Sequence, residues 1–149
     1  MREILFRGKA INRHKKGGGY RTKYKNGDWV YGLLEKHYNE RFKFPAEMRN
    51  TDGVSGIQVD YKTIGQFTGL CDKNGKKIFE GDIVRCKNYH GTVEGYIGYS
   101  KSAVWFLYCI SGYSDEYLFN CADIEVISNV YDNPELLKEE NQNEMCIVS

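Results

Sequence analysis

The sequence predicts a mainly β protein, α+β at most, in the form of a small antiparallel barrel-like domain with a short C-terminal helix. Its 149 residues include 12 tyrosines, and aromatic residues favour strands. There are 16 glycines and only two prolines, and glycine marks the turns between strands. Short apolar runs recur without helical periods between them, as in barrels and sandwiches. The length is typical of one domain, so we expect a single domain over residues 1–149.

The first half of the chain has two strand signals and one weakly defined region. Residues 4–6 are a short apolar run, which predicts the first strand. Residues 29–34 have strand composition and follow the turn dipeptide Asn26-Gly27. Residues 35–60 show no sustained period, which predicts irregular structure with one or two short strands.

The second half contains the clearest strand signals. The turn-forming run from Asp72 to Lys76 separates residues 67–70 from residues 77–79, and this pattern predicts a hairpin. Further strands are predicted at residues 83–87, 92–99, 103–110, 117–119 and 124–130. Because residues 103–110 are nearly all apolar, we expect that strand to be buried on both faces.

A short helix is predicted near the C-terminus. Asn133 can act as its N-cap, and Pro134 suits the first helical position, where its missing N–H needs no partner. Glu135 falls in the first turn, where the helix dipole favours an acid. A loose tail is expected over about residues 141–149.

The charge distribution is strongly asymmetric although the net charge is only +1. Residues 7–25 carry eight Lys or Arg and no acid, and we expect a flexible basic loop over about residues 11–25. Residues 111–149 carry nine acids against Lys138. The basic segment could bind phosphates, pair with the acidic region of the same or a neighbouring subunit, or remain a solvated loop. The candidate nucleic-acid-binding residues are Arg13, Lys15, Lys16, Arg21, Lys23 and Lys25.

Residues 66–84 are dense in Asp, Asn, Glu and Gly, which invites comparison with a calcium site. The spacing lacks the twelve-residue loop that ends in a bidentate Glu. Asp and Asn side chains also hydrogen-bond the backbone of turns, and Gly provides positive φ. We therefore interpret the segment as a structural signature and predict no metal. The signature residues are Thr68, Gly69, Asp72, Asn74, Gly75, Glu80, Gly81 and Asp82.

The residues that catalysis would need show no recognisable arrangement. A nucleophilic pair would combine Cys71 or Cys86 with a histidine, and no local signature surrounds any of the three histidines. These histidines are His14, His37 and His90. We therefore predict that the protein is not an enzyme and has no cofactor.

The five cysteines are scattered and odd in number, which predicts reduced thiols, several of them in the core, and no disulfide framework. The apolar run at the N-terminus is too short for a signal peptide or a membrane span. We expect a cytoplasmic protein without membrane contact.

Two long segments carry a family resemblance. Residues 66–84 read QFTGLCDKNGKKIFEGDIV and resemble the T-G-L-x-D-x-N-G-x-x-I-[YF]-E-G-D-I pattern of the YopX family of phage and prophage proteins. Residues 126–137 read VISNVYDNPELL and are similar to its closing V-I-G-N-I-Y-[ED]-N-P-E-L-L segment. Residues 4–9 and 29–32 are similar to the opening F-R-G-K and W-V-Y-G of one subfamily.

The chain departs from the family pattern at two places. Ser128 stands where glycine is usual, a change that the fold tolerates if that residue has negative φ. The basic stretch over residues 11–25 is longer than the usual connection. The resemblance implies a β-rich fold from phage or prophage genomes in a bacterial host, and it implies no known activity or catalytic residues.

Two functions of different class follow as hypotheses. The first is a non-catalytic binding or assembly module whose tyrosine-rich β surface forms a homo-oligomer or contacts a host or phage protein, since tyrosine is enriched in interfaces. The alternative is a small barrel that binds single-stranded DNA or RNA through the basic 7–25 segment.

Overall fold

The structure is a computed structural model that describes residues 3–12, 23–110 and 115–137. These residues form strands paired antiparallel throughout and a helical turn at residues 135–137, which confirms the mainly β fold. The strands are β1 (Phe6–Ala10), β2 (Trp29–Lys36), β3 (Ala46–Asn50), β4 (Ile57–Cys71), β5 (Lys77–Phe79), β6 (Asp82–Asn88), β7 (Gly91–Tyr99), β8 (Trp105–Cys109), β9 (Glu116–Tyr117) and β10 (Ala122–Asn129).

The chain groups into two compact units that meet in sequence within β4. The described residues up to Phe67 form the first unit, and those from Thr68 onward form the second. The expectation of a single domain stays a prediction. Among the residues that the structure describes, no helix has the length and apolar character needed to cross a membrane.

The first unit is a ring of four strands. β2 pairs with β1 and β3, β3 pairs with β4, and β4 returns to pair with β1. A bulge between Arg7 and Lys9 lets β1 change its register on β4, and bulges of this kind bend a sheet toward closure. Side chains that alternate inward fill the ring. Its core consists of Ala10, Val30, Ala46, Met48, Ile57 and Val59.

The second unit is a five-stranded sheet with the order β10-β6-β7-β8-β9. The end of β4 and the short β5 form the predicted hairpin on either side of the turn at Asp72. One face of the five-stranded sheet is apolar and packs into a core with Ile78 of β5. The other buried members of this core are Val84, Cys86, Val93, Ile97, Leu107 and Leu118.

Two sequence predictions in the first half of the chain need correction. The first strand begins at Phe6 and continues to Ala10, so it enters the basic segment. Arg7 can lie in a strand because it is buried with its guanidinium 4.5 Å from the ring centroid of Trp29. Residues 35–60 contain the short strand β3 between irregular segments, as predicted, but β4 already begins at Ile57 and runs for 15 residues. Pairing with β1 and β3 stabilises this strand. The pattern of apolar residues in β4 does not predict these pairings.

Two predictions in the second half were also wrong. β8 is not buried on both faces, because among its residues only Leu107 is fully buried. The predicted strand at residues 117–119 is instead the two-residue β9 followed by a 3-10 helix, Leu118–Asn120. This helix turns Leu118 into the core of the second unit and leaves Phe119 exposed.

Candidate functional site

Asp72 organises the turn between β4 and β5. Its Oδ1 accepts hydrogen bonds from the backbone N–H groups of Asn74 and Lys76, each at 2.9 Å, and its Oδ2 accepts one from Val126 of β10 at 3.0 Å. Burial raises the pKa of this carboxyl, but the hydrogen bonds from Val126, Lys76 and Asn74 hold it below the usual value. The carboxylate is therefore a structural group that joins a turn to a distant strand.

The other signature residues of this hairpin also have backbone roles. Thr68 Oγ1 donates to the carbonyl of Ile78 at 2.8 Å and accepts from the N–H of Leu70 at 3.1 Å. Gly69 and Gly75 have φ of 87° and 84°, where glycine is favoured. The turn is also hydrogen-bonded to β10, because the N–H of Lys73 donates to the carbonyl of Ile124 at 2.8 Å.

Glu80, Gly81 and Asp82 form the second predicted reversal. Asp82 is buried, and its Oδ2 accepts a hydrogen bond from the N–H of Phe79 at 2.7 Å. Gly81 has φ of 89°, its N–H donates to the carbonyl of Ile97, and its own carbonyl accepts from Val130. A Cβ at Gly81 would lie 2.9 Å from Cε2 of Tyr131. The glycine is therefore required by both its backbone conformation and the neighbouring ring.

We expect Gly81→Ala to destabilise the second unit more than Gly75→Ala. Both substitutions place a Cβ at positive φ, which costs about 1–2 kcal/mol. Only the alanine at position 81 also meets a ring, whereas a Cβ at Gly75 has no atom within 4 Å. Urea unfolding curves of the two variants measure the difference.

Adding Tyr131→Ala to Gly81→Ala separates the two effects. The double variant should recover about 1 kcal/mol relative to the sum of the single changes, because it removes the atom that the new Cβ contacts. Strict additivity would contradict the proposed clash between the residues at 81 and 131.

The two segments that carry the family resemblance are neighbours in the structure. β6 pairs with β10 so that Val84 lies opposite Val126 and Asp82 lies opposite Asn129. Asn129 Oδ1 accepts the N–H groups of Tyr131 and Asp132 and so turns the chain after β10. The resemblance therefore marks one assembled structural element.

The departure at Ser128 is accommodated as the sequence suggested, since Ser128 does not have positive φ. Its hydroxyl donates to Oδ1 of Asn133. Nδ2 of Asn133 in turn donates to Glu135 Oε1 at 2.7 Å, and this hydrogen bond is the main cause of a lowered Glu135 pKa. Asn133 thus lies at the start of the helical turn, where its carbonyl accepts the N–H of Leu136 at 3.2 Å and its side-chain oxygen accepts the hydroxyl of Ser128. Its capping of a helix N–H stays a prediction.

The candidate nucleic-acid residues are only partly within the structure. Arg13, Lys15, Lys16 and Arg21 lie outside the described residues. Lys23 and Lys25 are exposed, and Lys23 Nζ lies 3.6 Å from a carboxylate oxygen of Asp52. The basic segment as a phosphate-binding surface therefore stays a prediction.

The candidate catalytic residues are not brought together by any described contact. His14 lies outside the described residues, and His37 and His90 are exposed. Cys71 is exposed and Cys86 is buried in the core of the second unit. Within residues 3–12, 23–110 and 115–137, no three His, Cys, Asp or Glu residues are placed to hold a metal ion.

An open groove of about 470 Å³ lies beside the Asp72 turn in the second unit. It is lined by Leu70, Cys71, Asp72, Lys73, Leu118, Phe119, Cys121, Asp123 and Ile124. Both of its acids have partners. Asp72 accepts hydrogen bonds from three backbone N–H groups, and Oδ2 of Asp123 lies 3.6 Å from Nζ of Lys87. Behind it, a hydrogen bond to Cys121 and burial raise the pKa of the Cys86 thiol. The groove thus offers thiols but no histidine.

A row of five aromatic rings, three half-buried and two exposed, lies on the outer face of the sheet in the second unit, and we call it the aromatic ladder. Its successive ring centroids, from Tyr96 to Phe119, are separated by 5.2, 5.7, 4.8 and 5.1 Å. The ladder consists of Tyr96, Tyr108, Phe106, Tyr117 and Phe119 in that spatial order. Exposure is largest at the sheet edge, with Tyr117 42% and Phe119 70% exposed.

The backbone positions the ladder by strand pairing. Tyr96 lies opposite Tyr108, and Phe106 lies opposite Tyr117, so these rings project from one face. The Tyr108 ring covers Gly98, where a Cβ would collide with it. The sequence predicted a tyrosine-rich β surface but not its place in the fold, because the apolar run of β8 suggested burial on both faces. The spacing of these residues did indicate a common face, because Tyr96 and Gly98 stand two positions apart in one strand and Phe106 and Tyr108 stand two positions apart in the next.

Comparison with known proteins agrees with the motifs. A family model described as YopX protein matches residues 19–138, which include both segments of the resemblance. No curated protein shows a significant match to the chain. Because the match extends over most of the chain and the two motifs assemble into paired strands, the protein is a member of the YopX family.

Proposed function

We propose that the protein is a non-catalytic assembly module that joins a second copy of itself through the aromatic ladder. The observation that carries the proposal is the continuity of the ladder up to β9, which pairs with no strand other than β8 in the part of the chain that the structure describes and where the last two rings are the most exposed. Contiguous apolar surface of this kind marks interaction sites, and aromatic residues are enriched at the centre of interfaces.

A second copy is the occupant that the ladder fits best. The ladder ends at β9, the edge strand of its sheet, and β9 pairs only with β8 among the named strands. A two-fold axis at this edge would place Phe119 of one copy against the ladder of the other. Ring on ring contact is self-complementary, because each ring offers both an edge and a face to its partner.

The non-catalytic part of the proposal rests on the groove. Its lining residues include no histidine, and the two carboxylates that border it already accept hydrogen bonds or face a lysine. A general base near the thiols of Cys71 or Cys121 would need a free acceptor. The surroundings of this groove support a structural role for both acids.

The family resemblance supports a phage or prophage origin and a site of action in the cytoplasm of a bacterial host. Reduced thiols agree with such a compartment, and Cys71, Cys86 and Cys121 carry thiols rather than disulfides.

Sedimentation equilibrium of the full chain over a range of concentrations tests the assembly. We expect a reversible dimer in the parent and at least about a 30-fold weaker dimer in Phe119→Glu, since a central aromatic residue of an interface contributes about 2 kcal/mol or more. Tyr89→Glu is the matched control, because Tyr89 is 96% exposed in the β6–β7 turn and lies outside the ladder. A monomeric parent at high concentration, or equal weakening by both variants, would overturn the proposal.

A further inference from the structure

We propose that one end of the four-stranded ring in the first unit binds single-stranded nucleic acid, with bases on exposed aromatic rings and phosphates on neighbouring cations. We call this surface the aromatic-cation rim. Its rings belong to Tyr38, Phe42, Phe44 and Tyr61, and its cations are Arg41, Lys43 and Lys62. This function is separate from assembly through the aromatic ladder, and it uses none of the ladder's residues.

The rim is a hydrogen-bonded turn that extends β2 and β3 beyond the ring. The N–H of Asn39 donates to the carbonyl of Phe44 at 3.1 Å, and Asn39 Oδ1 accepts the N–H of Phe42 at 3.0 Å. Lys43 has φ of 57°, a conformation that closes the turn. The turn is therefore held by its own backbone, and the rings project from a defined support.

The rings of the rim form two pairs. Tyr38 stacks on Tyr61 of β4 with centroids 4.1 Å apart and planes within 10°. Phe42 and Phe44 have centroids 5.9 Å apart. Phe42 is 59% and Phe44 62% exposed, so neither ring is used by the core. Large apolar rings left in water at a turn offer stacking surface to a ligand.

Two of the exposed rings, those of Phe42 and Tyr61, have a cation over them. Arg41 lies over the ring of Phe42 at 5.3 Å, and Lys62 lies over the ring of Tyr61 at 6.0 Å. Lys43 stands between the two phenylalanines in sequence. The alternation of ring and cation matches the repeat of a nucleotide, one base and one phosphate.

Among the described residues, the rim cations have no acidic partner within ion-pair distance, unlike the cations of the strands that lead to the rim. Lys36 pairs with Glu47 at 3.1 Å, and Arg49 pairs with Glu35 at 3.3 Å. No ion pair within the described residues involves the rim cations Arg41, Lys43 and Lys62. No bound acid therefore competes with a phosphate for them.

Two acids lie near the rim in sequence and limit its positive charge. Asp60 Oδ1 accepts the N–H of Lys62 at 3.1 Å, and Glu40 precedes Arg41. The rim therefore carries only a modest positive charge, and stacking must supply much of the affinity. This condition favours single strands, whose bases are available, over duplexes, whose bases are paired.

Fluorescence anisotropy with a labelled oligothymidine at 50 mM salt tests the proposal on the full chain. We expect the parent to bind, and Phe42→Ala with Phe44→Ala to weaken binding by at least about 10-fold, since stacking of one base contributes about 1–3 kcal/mol. Both side chains are exposed, so the variant should unfold at the parent's urea concentration. Tyr89→Ala, which removes an exposed ring of the second unit, should bind as the parent does.

A charge series tests the phosphate contacts. Arg41→Gln with Lys43→Gln should lower the slope of log affinity against log salt by about 1.4, because each phosphate contact on a single strand contributes about 0.7. Lys36→Gln with Arg49→Gln removes the same charge from paired positions and should change the slope much less. Absence of binding by the parent, equal losses in both charge variants, tighter binding of duplex DNA, or full competition by polyglutamate would each overturn the proposal.

Discussion

Asp72→Ala should lower the free energy of unfolding of the second unit by about 3–5 kcal/mol, because hydrogen bonds to a charged acceptor contribute about 1.5–3 kcal/mol each and are not fully additive. The substitution removes the acceptor of the Asn74, Lys76 and Val126 N–H groups at once. Fluorescence of Trp105 during urea unfolding, in a Trp29→Phe background, reports this unit alone, since the chain has two tryptophans.

Asp72→Asn divides the effect into its local and its distant parts. An asparagine can keep its oxygen toward Asn74 and Lys76, but its amide group then faces the N–H of Val126, and two donors oppose each other. We expect about half of the loss caused by alanine. The control is Lys87→Ala, which removes an exposed lysine of the second unit whose ion pair with Asp123 spans 3.6 Å and should change stability by less than about 0.5 kcal/mol. If Asp72→Ala changed stability as little as this control does, the proposed role of the Asp72 carboxylate would be contradicted.

The stabilisation by Asp72 should depend on pH in a defined direction. Its pKa is lower in the folded protein than the ordinary value of 3.8. The contribution is therefore complete above about pH 4 to 5 and is lost as the pH falls through the folded pKa. The difference in stability between the parent and Asp72→Asn should shrink in urea titrations from pH 5 to pH 2. A constant difference would show that the charge of Asp72 is not involved.

Local turn chemistry made much of the second unit predictable. The hairpin at Asp72 and the reversal at Gly81 are written in residues a few positions apart, so the sequence reveals them. The hydrogen bond from Val126 to Asp72 joins residues 54 positions apart and has no local signal. The interpretation of Asp72 and Asp82 as structural residues agrees with their hydrogen bonds, but only the structure identifies the strand that Asp72 holds.

The ring of the first unit was not predictable in the same way. β3 has the sequence AEMRN, in which only Ala46 and Met48 are apolar, and its pairing with β2 and β4 defines it as a strand. Strand formation depends on pairing with distant segments more than on composition. A tyrosine-rich surface was expected, but the positions of both aromatic surfaces were not predictable for a related reason, because apolar content alone does not distinguish rings that fill a core from rings that lie against one another at the surface.

Gly32→Ala should be the most damaging single-methyl change in the first unit. Gly32 lies in β2 between Phe6 of β1 and Asn50 of β3, and a Cβ there would overlap the carbonyl oxygen of Arg49. The obstacle is backbone, so the strands must separate and lose ladder hydrogen bonds. We expect a loss of about 3 kcal/mol or more, at the upper end of overpacking effects. Trp29 fluorescence in a Trp105→Phe background measures it.

Gly32 differs from Gly53 and Gly81 in what a new Cβ would contact, since at Gly32 it meets a main-chain oxygen. Gly53→Ala, at φ of 88° with no atom within 4 Å of the new Cβ, carries only conformational strain and should cost about 1–2 kcal/mol. Truncating Arg49 to alanine should not rescue Gly32→Ala, because the colliding atom is a main-chain oxygen, whereas truncating Tyr131 should partly rescue Gly81→Ala. Rescue by Arg49→Ala, or a loss at Gly32 no larger than that at Gly53, would mean that β2 and β3 can move apart without opening the ring.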